Sequence, residues 1–183
     1  MAIQGDSITT LSMSAIETTL GGQYAWDISA QGGNTFENRV ASFEDQINNP
    51  TGPPQDVIIN LGTNDVFQWP TNGDSWQTGL SQLAGVAGFS GACVVWVNVS
   101  TYADALIGGR PVAESINAAI AKLPDGDPNF HVLDWNAFIH EGSNYEDYIV
   151  GFGGFSLNVH PDAAGQQALA GLYAQALQED CGN

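Results

Sequence analysis

Short apolar runs alternate with longer stretches of helical period along the whole chain. The runs at residues 2–5, 24–29, 57–61, 93–99 and 131–133 read as strands. Between and after them, residues 8–20, 35–48, 76–86, 112–123 and 163–178 repeat apolar positions at the spacing of one helix face. Strand and helix in regular alternation predict an α/β fold: a doubly wound parallel sheet of about five strands with helices on both faces, hence three α/β/α layers. In such sheets ligands bind outside the carboxyl ends of the strands, so chemistry is sought just after each run. Loops are marked by Asn-Asn-Pro-Thr-Gly-Pro-Pro at 48–54, Trp-Pro-Thr-Asn-Gly at 69–73 and Pro-Asp-Gly-Asp-Pro at 124–128. The longest irregular stretch, about 141–159, leads directly to His160.

Length and composition fit one domain over residues 1–183: 43% hydrophobic residues suffice for a core, and no internal repeat is visible. No apolar run is long enough to span a bilayer. A secretory leader is not expected either, because a polar motif arrives within the first residues. Charge changes the picture more. Twenty acidic residues face only Arg39, Arg110 and Lys122, for a net charge of −17. That field repels polyanions, so nucleic acid and anionic membranes are poor candidates as partners, nucleic acid is not expected, and anionic substrates such as CoA esters are disfavoured. The acidic, lysine-poor composition suggests an extracellular or salt-adapted setting; oligomeric state is not legible. Cys93 and Cys181 are too few for a zinc site. A helix returning toward the starting ends of the strands makes a Cys93–Cys181 disulfide conceivable, but the expectation is one buried thiol and one terminal thiol, unpaired.

Four motifs then stand at the ends of different elements. Gly5-Asp6-Ser7-Ile8 joins the first strand to the first helix, where free N–H groups favour developing negative charge. An Asp/Ser helix cap is the plain alternative. Gly73-Asp74-Ser75 repeats the letters without a preceding strand, and Ser75 is read as a helix cap. Gly32-Gly33-Asn34-Thr35 follows the second run and can offer a glycine N–H. Leu61-Gly62-Thr63-Asn64-Asp65 closes the third run, where Asn64 can aim its side-chain amide at an oxyanion; the alternatives are a loop glycine and an Asx turn. Val159-His160-Pro161 precedes the final helix, with Pro161 in its first turn. His131 and His140 carry no motif and are taken as structural. Together these residues compose a nucleophile, a base and oxyanion donors, the set needed for acyl transfer.

In order and context the four motifs resemble the SGNH (GDSL) hydrolases, over residues 2 to about 175. The resemblance implies a flavodoxin-like fold and a serine esterase with Ser7 as nucleophile and His160 as base. It also implies an oxyanion hole formed by the N–H of Ser7, the N–H of Gly33 (Gly32 being the fallback) and the side chain of Asn64. No metal or cofactor is implied. One position departs from the pattern: the family places an aspartate three residues before the histidine, and here that residue is Leu157. The backbone carbonyl of Leu157 can orient His160 in a Ser–His dyad. Otherwise Asp134, Asp147 or Asp162 substitutes, or the chain is a catalytically degenerate carbohydrate-binding module. Phe67 and Trp69, with Tyr102, are candidates to line the mouth of the site, and the expected substrate is a neutral short-chain ester or acylated sugar.

Overall fold

The structure, a computed structural model, describes residues 1–50, 52–104, 109–151 and 158–182. Strands β1 (Ala2–Gly5), β2 (Asp27–Ala30), β3 (Asp56–Asn60), β4 (Cys93–Val97) and β5 (Phe130–Leu133) form one parallel sheet in the order β2-β1-β3-β4-β5. The central strands read as near-continuous apolar runs because both their faces are covered. Along β3, Val57 and Ile59 point to one layer and Ile58 to the other, following the two-residue period of a strand. The helices α2 (Phe36–Ile47), α4 (Ser75–Ser90) and α5 (Arg110–Ile120) close the first layer, around Phe36, Leu83, Trp96 and Ile116. Helices α1 (Ser7–Leu20) and α9 (Ala163–Asp180) close the second, around Ile3, Ile16, Val95 and Leu177. This is the three-layer α/β/α arrangement expected. The chain runs from β1 to β2 on one side and then crosses to β3 on the other. Loops leaving β1 and β3 therefore diverge and open a crevice at the carboxyl ends of these two strands.

Several boundaries differ from those expected. The second strand starts at Asp27, not residue 24, because Gln23 N and Tyr24 N still bond to the Leu20 carbonyl and finish α1. The loop expected at 69–73 is mostly the end of α3 (Thr63–Asn72), which holds Pro70 in its interior. The fourth helical stretch, 112–123, ends as α5 at Ile120 and is followed by the single turn α6 (Leu123–Gly126). The supposedly irregular 141–159 contains α8 (Asn144–Tyr148), after α7 (Trp135–His140). It also contains β6 (Ile149–Gly151) and the start of its antiparallel partner β7 (Asn158–Pro161).

The cysteines pair, against expectation: Cys93 and Cys181 form a disulfide with their Cα atoms 5.7 Å apart. The 18-residue α9 is about 27 Å long. It runs back past the starting edge of the sheet and sets Cys181 beside the first residue of β4. A loop with a sequence separation of 88 is closed, which in the chain-entropy model contributes about 4 kcal/mol to stability.

Candidate active site

The carboxyl end of β1 delivers the first part of the site. Gly5 is required by close approach, since a Cβ there would stand 2.1 Å from Thr9 Oγ1. Asp6 is the N-cap of α1: its Oδ1 accepts from Ile8 N at 2.9 Å, and its carbonyl accepts from Thr10 N at 2.9 Å. Ser7 is consequently the first helical residue, half-buried, with its own amide at the helix N-terminus.

The loops after β2 and β3 flank it. Gln31 N bonds to the Gly5 carbonyl, prolonging the β1–β2 pairing up to Gly32 and Gly33. Gly33 has φ +82° and its carbonyl accepts from Gln68 Nε2 at 3.2 Å. Gly62, with φ +116°, starts α3; a Cβ there would lie 2.7 Å from Val99 Cγ2 and 2.9 Å from Phe36 Cζ. Only glycine fits both the conformation and the space. The turn it makes carries Asn64 and Asp65 to opposite neighbours. Asn64 Nδ2 donates to Asp6 Oδ2 at 3.0 Å, and Asp65 accepts from Phe36 N, the first amide of α2, at 3.1 Å. Residues 64 and 65 thus tie the third loop to both the first and the second.

His160 arrives on β7, and its Nε2 lies 2.9 Å from Ser7 Oγ. Pro161 ends β7 instead of opening the helix; Asp162 caps α9, accepting from Gly165 N at 2.8 Å. Burial holds His160 below its ordinary pKa of 6.5 by penalising the imidazolium. The neutral ring, able to accept a proton, is therefore favoured near neutrality.

Two carboxyls that the sequence offered only as letters within motifs prove central. Asp6 is fully buried, and desolvation pushes its pKa up to about 7 against the hydrogen bonds from Ile8 and Asn64. Asp65 is also pushed up to about 7, chiefly by burial, with the bond from Phe36 opposing and the charges of Asp6 and Glu37 adding to the rise. A usable signal was present: both acids sit inside strand-terminal motifs, next to a candidate nucleophile and a candidate oxyanion donor.

Other expectations are met unevenly. Leu157 lies outside the described residues. Asp134 caps α7 and accepts from Asn98 Nδ2 and Ala137 N; Asp147 accepts from Ser143 Oγ. With Asp162 at its own helix, each of the three alternative acids has a structural engagement. Phe67 and Trp69 ride on α3, where Trp69 Nε1 donates to Asp74 Oδ1. Neither is among the described residues lining the pocket beside Ser7. Tyr102 has His140 stacked on it at a centroid distance of 4.0 Å and Tyr145 tilted against it at 3.9 Å. Ser75 is the first residue of α4, and Asp74 holds the cap position expected for it. His131 sits in β5 with Nδ1 3.8 Å from Asp180 Oδ1, and His140 bonds to the Asn136 carbonyl.

An open pocket of about 290 Å³ beside the pair is lined by Ser7, Thr10, Leu11, Gly32 and His160. Larger clefts exist, of about 470 Å³ between α2 and α4 and about 600 Å³ at the starting edge of the sheet. Neither contains a nucleophile beside a base, so chemistry outweighs size here. Among the described residues no three His, Cys, Asp or Glu side chains gather as metal ligands, and no helix is long and apolar enough to cross a membrane.

A three-layer sheet with a serine and a histidine in hydrogen-bond contact over the crevice is the architecture of one large class of α/β hydrolytic enzymes. The chain belongs to the GDSL-like lipase/acylhydrolase family, whose model matches residues 4–168. No curated protein matches the chain significantly. Solved structures show the same fold. The C-terminal catalytic domain of peptidoglycan O-acetyltransferase A from Streptococcus pneumoniae, carrying a methylsulfonyl adduct, superposes with a TM-score of 0.73 at 22% identity, covering 99% of this chain and 93% of that one. A putative acylhydrolase from Bacteroides fragilis gives 0.74 at 18% identity, over 97% and 86% of the two chains. A catalytic mutant of an acetylxylan esterase from Geobacillus stearothermophilus gives 0.71 at 16% identity, over 95% and 91%.

Proposed function

We propose that the protein is a serine esterase that cleaves a neutral carboxylic ester through an acyl-enzyme. His160 Nε2 takes the proton of Ser7 Oγ as that oxygen attacks the ester carbonyl. The oxyanion formed is held by the Ser7 N–H, the Gly33 N–H and Asn64 Nδ2. Collapse breaks the bond to the alcohol oxygen, which takes the proton back from His160. Water, deprotonated by His160, then attacks the acyl-enzyme, and the acid leaves as Ser7 regains its proton. The observation that carries this reading is the 2.9 Å contact between His160 Nε2 and Ser7 Oγ, made between residues 153 positions apart in the chain.

The oxyanion assignment rests on further geometry. A primary amide has two N–H bonds; Asp6 accepts one from Asn64, and this fixes the direction of the other. An amide donor held in this way typically contributes about 3 kcal/mol of transition-state stabilisation. Substrate charge follows from the scarcity of cations. Arg39 is buried against Gln4 and Ser29, and Arg110 pairs with Glu114 at 3.1 Å, so little is left to attract an anion. A short-chain acyl ester or an acylated sugar fits. The pneumococcal and Geobacillus neighbours, one an O-acetyltransferase and one an acetylxylan esterase by description, act in keeping with that class. An oxidised Cys93–Cys181 pair joins the acidic composition in favouring an extracellular setting.

Leucine at position 157 sustains one rival, a degenerate carbohydrate-binding module. Hydrolysis of p-nitrophenyl acetate separates the two. The esterase reading expects turnover by the wild type that Ser7→Ala abolishes. Equal background rates in both proteins, with sugar binding unchanged by the substitution, would establish the module instead.

A further inference from the structure

The pocket beside Ser7 carries information about which half of the ester it receives, given the esterase reading above. Among the described residues its lining is poor in free side-chain donors. The proton of Thr10 Oγ1 is committed to the Asp6 carbonyl at 2.9 Å, and Ser7 Oγ and His160 Nε2 face one another at 2.9 Å. Gly32 has no side chain, and a Cβ there would meet Ser7 Cβ at 3.7 Å, so its bareness widens the pocket at the nucleophile itself. The remaining described lining residue is Leu11, which stands 42% exposed.

Leu11 is out of place by the logic of its helix. The buried face of α1 is Ile8, Thr9, Ser12, Ile16 and Leu20, and Leu11 lies off it, one turn after the nucleophile. A leucine on a solvent-facing flank is common when isolated. This one instead borders a concavity that Gly32 and Ser7 also line. Among the described residues, a sugar ring in that space would find no side-chain donor outside the reacting pair. An alkyl group would find an apolar wall.

We propose that this pocket is the acyl subsite and that Leu11 is its specificity-determining residue, the surface on which an acyl chain longer than acetyl packs. The alcohol half of the ester, sugar or otherwise, then lies outside the pocket. Each methylene that moves from water onto an apolar wall is worth about fourfold in binding when fully buried, and less here because the pocket is open.

The test is the chain-length profile, kcat/KM for p-nitrophenyl acetate, butyrate and hexanoate, in the wild type, Leu11→Ala and Leu11→Met. The butyrate-to-acetate ratio is expected to fall about fourfold or more in Leu11→Ala and to be retained in Leu11→Met, which restores a long apolar side chain. Three findings would overturn the inference: an unchanged ratio in Leu11→Ala, an equal loss on all three esters, or a ratio lost as much in Leu11→Met as in Leu11→Ala. Measured beside these, Ser7→Ala separates the two levels of the argument. Hydrolysis that persists without the serine defeats the esterase reading itself, whereas serine-dependent hydrolysis with a profile indifferent to residue 11 defeats only the acyl subsite.

Discussion

Ser7 and His160 acquire meaning only through what surrounds them. A serine hydroxyl is a weak nucleophile, and it gains strength from a base held neutral and within reach. On the proposed reading His160 is that base, and half-burial favours its neutral form by lowering its pKa below 6.5. If His160 is the base, the acid limb of kcat/KM for a neutral ester lies below the ordinary histidine range, so a pH profile should retain more than half its plateau at pH 6.5. Asn64 is the second residue on which the account depends. Asn64→Ala is expected to lower kcat about 100-fold or more with KM little altered, because the donor acts on charge that exists only in the transition state. Steady-state kinetics on p-nitrophenyl acetate check this, and a loss confined to KM would reassign Asn64 to ground-state binding.

At the scale of elements, the parts of the sequence with strong period were the legible ones. The apolar β3 and β4 and the amphipathic α2 and α5 declared themselves, and with them the sheet and the side of it on which to look. Ser7, Gly33 and Asn64 drew attention because each follows a strand of the sheet, and His160 because it precedes the last helix. What stayed hidden depends on contacts between distant segments. Helix α3 looked like a loop because Trp-Pro-Thr-Asn-Gly carries the residues of a turn, yet Pro70 is accommodated near the helix end. Neither the tie from Asn64 to Asp6 nor that from Asp65 to Phe36 has any signature in local pattern. The disulfide was missed for the same reason, since its closure depends on how far α9 runs past the sheet. Gly62 is where an element and the site meet. Gly62→Ala forces a side chain onto φ +116° and into Val99, and is expected to cost about 2–3 kcal/mol by urea denaturation. Replacing both Cys93 and Cys181 by serine should remove about 4 kcal/mol without moving the loops at the opposite edge, so stability falls while the activity of the folded protein persists.

Across the whole molecule, acidity acts on stability in an unusual direction. Asp6 and Asp65 have folded pKa values near 7 against 3.8 for an exposed carboxyl. The folded state therefore binds more protons than the unfolded one between these limits. Their contribution to stability is fully present below about pH 4, falls as pH rises, and is lost above 7. Self-repulsion at a net charge of −17 acts in the same sense. The melting temperature should be higher at pH 5.5 than at pH 8, by about 5 °C, and the gap should narrow in Asp6→Asn, which cannot ionise and has one acceptor oxygen where Asp6 uses two, for Ile8 N and Asn64 Nδ2. Salt should raise the melting temperature at pH 8 by screening the surface charge. A melting temperature that climbs with pH instead would mean that the two buried carboxyls are stabilised as anions.

The central claim is that Ser7 is the nucleophile, and the chain supplies its own control in the second Gly-Asp-Ser at residues 73–75. Intact-mass spectrometry after treatment with a fluorophosphonate, followed by peptide mapping, tests it most directly. The account predicts a single adduct on Ser7, absent from Ser7→Ala and formed far more slowly in His160→Ala. No adduct, or one carried by Ser75, would contradict it.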